Sequence, residues 1–213
     1  MEPGALMPYE RSLITGETLG LYHDASRSTT LLDVARWRRP ADTADRAILS
    51  HAIGPALDVG CGPGRITEAL NRRGVFTVGI DISAVAVAMA RGRGVTALRR
   101  DVFRPLPGEG RWTTVVLLDG NIGIGGRPEA LLRRAHELLV RGGLALVETD
   151  PDSSADERLT VRFTRAGTPI GAQFPWALVG RTVLRELADR TGFTTREPLM
   201  MHDRSFSVLQ RDS

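Results

Sequence analysis

The sequence predicts an α/β fold in which a parallel sheet carries helices on both faces. Three observations predict it. From Ala56 to Asp150, short apolar runs alternate with stretches of helical period. Glycine stops close those helical stretches, at Gly74 and again at Gly142. A bare turn, Gly60-Cys61-Gly62-Pro63-Gly64, follows the first apolar run, where a parallel sheet places its ligand.

The elements follow in order. Residues 10–23 show weak helical periodicity. Pro40 stops what precedes it, Asp42 or Thr43 can cap a helix, and Gly54-Pro55 ends that helix. "ALDVG" is a short strand, Ile66 to Arg73 a helix, "VFTVGID" a strand. Ser83 caps the helix "SAVAVAMARGR". "GVTALRRD" is the third strand, and "WTTVVLLDG" is apolar enough to be buried on both faces. "PEALLRRAHELLVRGG" is a helix with a glycine stop, and "LALVETD" is a strand. The rhythm then breaks. Residues 158–180 alternate with period two around Gly167-Thr168-Pro169, as a hairpin or strand-rich cover would. "TVLRELADRTG" is a helix, and residues 195–211 read as two strands joined at His202-Asp203-Arg204.

A chain of 213 residues fits one full-sized domain. We divide it into an N-terminal segment, 1–40, expected to cover a substrate, and a ligand-binding domain, 41–213. No apolar run approaches a membrane span, and no secretory signal is evident, so the cytoplasm is expected. Cys61 is the one cysteine, which excludes an internal disulfide and a cysteine zinc cluster. All 28 basic residues are arginine. That disfavours Schiff-base and P-loop lysine chemistry. The arginines are scattered among acidic residues, so no nucleic-acid stripe is expected.

The glycine turn discriminates between ligands. Dinucleotide sites want G-x-G-x-x-G, and Arg65 stands where the last glycine belongs. The turn is not alone. Asp58 precedes it. Asp81 ends the second strand, where a carboxylate can take two ribose hydroxyls. Asp101 ends the third, where a carboxylate can accept an adenine amino group.

"LDVGCGPGRITEAL", "VGIDIS", "RRDVF", "VVLLDGN" and "LLVRGGLALVE" resemble, in order and spacing, the motifs of class I methyltransferases that use S-adenosylmethionine (SAM). "DGNIGIGG" and "FPW" resemble an actinobacterial small-molecule branch of that family. The resemblance implies a Rossmann-like sheet of seven strands, ordered 3-2-1-4-5-7-6 with strand 7 antiparallel. It implies SAM as cofactor. Gly60, Gly62 and Gly64 would shape the methionine end, and Asp58 would orient it. Asp81 would hold the ribose, Ile82 would lie on the adenine, and Asp101 with the Val102 amide would read its edge. Leu118 and Asp119 would flank the sulfonium and amino group.

On the acceptor side, Gly120 to Pro128 holds four glycines, read as a backbone wall against substrate with Asn121 adding its amide. Tyr22 and Trp176 are further substrate candidates. His23, His202 and Asp119 are the candidate proton acceptors. The function expected is methyl transfer to a small molecule, in secondary metabolism. The alternatives are a repurposed SAM-binding protein doing other chemistry such as cyclisation, and an RNA or protein methyltransferase.

Overall fold

The computed structural model describes residues 6–196, 198–201 and 203–212. Its centre is a sheet of β3 (Ala56–Val59), β4 (Thr77–Asp81), β5 (Thr96–Arg99), β6 (Trp112–Leu117), β7 (Leu139–Thr149), β10 (Phe193–Thr195), β11 (Leu199–Met201) and β12 (Arg204–Arg211). The strand order is β5-β4-β3-β6-β7-β12-β10, and β11 also pairs with β12. Neighbours from β5 to β7 are parallel, and β12 runs antiparallel to β7. This is the expected 3-2-1-4-5-7-6 order, with β11 added as a short flap.

The continuous apolar runs have a simple cause. In β6, Val115 and Leu117 pack to one face and Val116 and Leu118 beyond it to the other; in β7, Ala145 and Val147 oppose Leu144 and Leu146. One face is covered by α6 (Pro128–Leu138) and α7 (Arg181–Arg190), the other by α3 (Thr43–Leu49) and α4 (Arg65–Arg72). Each fully buried Leu or Val there contributes about 1.5–3 kcal/mol. Asp42 caps α3 in a reciprocal capping box with Asp45, and Ser83 caps α5 (Ala84–Gly92).

Two local expectations change. The weak helix of residues 10–23 is α1 (Met7–Thr15), ended by Gly16 in the left-handed region, followed by strand β1 (Leu19–His23). The α6 helix stops at Leu138 because Leu139 turns extended, and β7 begins there, five residues before "LALVETD". Leu139 pairs with Trp112, the register shifts, and pairing resumes at Leu144 with Thr114.

A second, four-stranded antiparallel sheet lies outside the first, in the order β2-β1-β8-β9. It joins β1 and β2 (Ser28–Leu32) to the long hairpin of β8 (Asp156–Arg165) and β9 (Thr168–Val179). Ala166 and Gly167, both at positive φ, make the hairpin turn. Leu13, Leu19, Leu21, Val161, Phe163 and Phe174 pack this sheet onto α1 and α5. Short helix α2 (Val34–Arg38) follows β2.

Candidate active site

The turn after β3 opens into a cavity of about 500 Å³ at the carboxyl ends of the parallel strands. Gly60 and Gly62 have φ of 71° and 52°, which side chains rarely adopt. The amides of Gly60 and Cys61 both donate to the Ile80 carbonyl, fixing the turn to β4. A side chain on Gly60 would meet the Asn121 amide at 2.7 Å, whereas one on Gly62 would project towards the Tyr9 hydroxyl at 3.4 Å. Gly64 does not line the cavity. It caps α4, and a Cβ there would lie 2.8 Å from the Ala90 Cβ, so its bareness lets α4 pack on α5.

Three carboxylates line the same space. Asp58 is 3 % exposed and accepts a 2.7 Å hydrogen bond from the Thr67 hydroxyl. Burial pushes its carboxyl up to about 7 against that hydrogen bond. Asp81 accepts from the Ser83 amide at 2.8 Å and the Gly62 amide at 3.0 Å; burial still raises its pKa. Asp101 is exposed, and its side chain accepts from the Phe103 amide at 2.9 Å. Ile82, Val102 and Leu118 complete this half of the lining.

Asp119 also lines the cavity, but its carboxylate is taken. Arg65 donates to both of its oxygens, at 2.9 and 2.7 Å, and Arg36 lies 3.1 Å away. Arg65 also pairs with fully buried Asp45, which Arg36 and Arg204 contact at 3.1 and 2.9 Å. Arg204 grips Glu148 through two bonds of 2.7 Å, and Glu148 accepts the Asp119 amide at 2.8 Å. The acids hold the Arg65 and Arg204 pKa values above normal although burial opposes this, and Arg65 in turn holds Asp45 below the carboxylate range. Asp119 is therefore the terminus of an ionic network, with both oxygens paired to guanidinium groups, which competes with the proton-acceptor role expected of it.

The glycines of residues 120–126 serve packing more than substrate. A Cβ on Gly123 would overlap the Ala177 carbonyl and lie 2.8 Å from the Trp176 indole nitrogen. On Gly126 it would lie 2.9 Å from Pro175, and on Gly125 3.0 Å from Phe103. The loop is bare so that β9 can rest on it. The Asn121 amide nitrogen is engaged within the protein. It donates to the carbonyls of Val59 and Gly60, at 2.9 and 3.1 Å, and so ties this loop to the glycine turn. Its side chain borders the cavity all the same, as does Trp176.

The structure places two candidates away from the cavity. Tyr22 alternates with Leu21, and Leu21 is the residue of β1 that reaches the lining. His23 is buried, its Nε2 3.1 Å from the Thr30 hydroxyl, outside the lining. His202 lies outside the described residues. Among the residues not singled out from sequence are Tyr9, Trp37, Phe163 and Phe174, which roof the cavity. The period-two pattern of residues 158–180 held the signal for the last two, since it puts Phe163 and Phe174 on one face with Trp176. Nothing in the weak pattern of residues 6–15 marked Tyr9.

Residues 56–143 match the family model described as a methyltransferase domain. The fold agrees: it is that of SAM-dependent methyltransferases. A SAM-dependent methyltransferase from Bacteroides fragilis, in complex with S-adenosyl-L-homocysteine, is 22 % identical with a TM-score of 0.81, over 100 % of this chain and 98 % of that one. The Burkholderia thailandensis 1,6-didemethyltoxoflavin-N1-methyltransferase is 17 % identical with a TM-score of 0.65, over 96 % and 88 %. CalS10, an amino pentose methyltransferase from Micromonospora echinaspora, is 18 % identical with a TM-score of 0.55, over 79 % and 87 %. No curated protein matches the sequence.

The residues that line the cavity suit SAM. A buried carboxyl at Asp58 whose ionisation is suppressed by burial is what a cationic amino group would relieve. The bare Gly62, facing the Tyr9 hydroxyl, leaves its backbone free for close approach. Among the described residues no cluster of His, Cys, Asp and Glu could hold a metal, and no helix is long and apolar enough to cross a membrane.

Proposed function

We propose that this domain methylates a small-molecule acceptor from SAM, as a cytoplasmic enzyme of secondary metabolism. One observation carries the reading: the cavity that holds the glycine turn and the carboxylates continues under a roof of α1, α2 and the second sheet. A roofed space of about 500 Å³ suits a cofactor beside a small acceptor better than a strand of RNA or a protein segment. The B. thailandensis and M. echinaspora proteins act on small molecules by their names. The Gly120 loop and the Phe174–Trp176 stretch keep the resemblance to the actinobacterial branch.

In this reading Asp81 binds the ribose hydroxyls, and Ile82 lies against the adenine. Asp101 and the Val102 amide read the adenine edge. Gly60, Gly62 and Leu118 border the methionine portion, and Asp58 faces its amino group. When bound, the cofactor supplies a methyl carbon on a sulfonium, open to in-line attack by an electron pair as the carbon–sulfur pair returns to sulfur. The protein then needs chiefly to exclude water and align the acceptor, and proximity can supply much of the barrier lowering. Asp119 fixes the acceptor wall through Arg65 and Arg36. The proton, where the acceptor carries one, goes to His202.

The test is incubation with methyl-labelled SAM and cell extract split by size. Label appearing in a small molecule chromatographically distinct from SAM is the expected outcome. Label in RNA or protein alone, or SAM binding without transfer to any fraction, would overturn the assignment.

A further inference from the structure

The chain is poor in aromatic residues, with three Trp, two Tyr and six Phe in 213. Six of these line one cavity: Tyr9, Trp37, Phe103, Phe163, Phe174 and Trp176. Five of them form an unbroken row beneath the second sheet. Trp37 meets Tyr9 edge-on at 6.1 Å, and Tyr9 stacks on Phe163 at 6.4 Å with 13° between planes. Phe163 meets Phe174 at 4.9 Å, and Phe174 meets Trp176 edge-on at 6.4 Å. The row is drawn from α1, α2, β8 and β9, four elements that share no local sequence reason to carry rings. These rings pack the second sheet onto α1 and α5, and the same rings face the cavity. The main sheet's core is built from Leu, Val, Ile and Ala, with few rings.

We infer that the acceptor is a planar aromatic molecule, held against this row, with Phe174 and Trp176 setting specificity. The inference rests on the proposed methyl transfer and names its substrate class. Rings at these separations prefer stacked or edge-to-face partners, and each such contact adds to what area burial gives. A sugar or amino acid placed there would lose water from many hydroxyl or charged groups and find only the Tyr9 hydroxyl and the Trp37 and Trp176 indole N–H groups among these rings in return. Leu6, Leu21 and Leu32 extend the same apolar wall. Asp58, Asp81, Asp101 and the Arg65–Asp119 pair line the part of the cavity where the cofactor is proposed. Trp176 is the ring that reaches down to the strand ends: a Cβ at Gly120 would lie 4.0 Å from its indole and one at Gly123 2.8 Å. It therefore stands between roof and methyl-transfer point.

The test uses the full chain saturated with S-adenosylhomocysteine, so that the donor side is verified first. Calorimetry then compares 2-naphthol with decahydro-2-naphthol, which share size and hydroxyl but not the ring system, and with glucosamine. We expect 2-naphthol to bind about tenfold more tightly than the saturated alcohol, as several ring contacts together imply, and glucosamine not to bind. Trp176→Leu and Phe174→Leu should remove that preference and leave the affinity for S-adenosylhomocysteine unchanged, which also reports that each variant is folded. Trp176→Phe should restore most of it. Equal binding of the two alcohols to a protein that holds S-adenosylhomocysteine, or binding of glucosamine instead, would overturn the aromatic class and leave the methyltransferase reading standing. A protein that holds no S-adenosylhomocysteine would overturn both.

Discussion

Arg65 closes both oxygens of Asp119 in its guanidinium, across fifty-four residues of sequence, while its other end is buried against Asp45. The residue that breaks the dinucleotide pattern is thus the hinge between the first helix after the glycine turn and the end of β6. It also explains how Asp119 tolerates a φ of 57°, which costs strain outside glycine: carboxylate and amide are both held, by Arg65, Arg36 and Glu148.

Arg65→Met should destabilise the fold by about 3–5 kcal/mol, because Asp45 is fully buried and would lose a close charged partner. Arg36 and Arg204 still contact Asp45, so the loss should fall at the lower end. Urea unfolding of the two proteins measures it. A double variant, Arg65→Met with Asp45→Leu, should recover much of the loss.

Gly123→Ala tests whether the glycine loop is bare for β9 or for a ligand. The added methyl would overlap the Ala177 carbonyl, so we expect a loss of about 1–3 kcal/mol. It should appear as a lowered Tm in the absence of any ligand. An unchanged Tm with impaired acceptor binding would restore the reading of the loop as a substrate wall.

Asp81→Ala should weaken SAM binding by roughly 2–4 kcal/mol, two charged-acceptor hydrogen bonds being lost. The same change frees the Gly62 amide, so the turn itself should loosen. Gly62→Val should weaken binding at least as much, by filling the space between the turn and Tyr9 at a positive φ that suits glycine. Calorimetric titration with SAM measures both.

His23→Ala should leave turnover nearly unchanged and cost about 1 kcal/mol of stability, because its ring serves Thr30. His202→Ala should lower turnover by about 10²–10⁴-fold if that residue takes the proton, with SAM affinity unchanged. Rates measured from methyl-labelled SAM across pH separate the two, since only a proton acceptor shifts the acid limb.

The sheet was legible because its period-two burial repeats on both faces of β6 and β7, and because glycines and Ser83 mark the helix ends. The carboxylates at strand ends were legible by position alone. The roof was not. It is assembled from two hairpins over a hundred residues apart, β1–β2 and β8–β9, and sequence pattern carries no record of which edges meet. Arg65, read only as a missing glycine, illustrates the same limit: its partners Asp45 and Asp119 are remote, and a buried charge reveals itself only through them. The bond between the His23 ring and the Thr30 hydroxyl crosses its own hairpin, a pairing that sequence does not display.

Asp58 sets a pH dependence whose sign can be fixed in advance. Its folded pKa, about 7, lies above the unfolded value near 3.8. Between those values the folded protein holds a proton that the unfolded chain has lost, so stability falls as pH rises from about 4 to about 7 and then levels, by about 4 kcal/mol in all. Asp45 acts oppositely: lowered by Arg65 despite burial, it stabilises above about pH 4, and that share is lost on acidification. The ligand-free protein should accordingly be most stable at mildly acidic pH, and Asp58→Asn should flatten the decline towards neutrality. A cationic amino group beside Asp58 favours its ionised form. SAM binding below pH 7 should therefore release a proton, and affinity should rise with pH until Asp58 is ionised in the free protein. Calorimetry in two buffers of different ionisation enthalpy measures that proton. Its persistence in Asp58→Asn would assign it to another group.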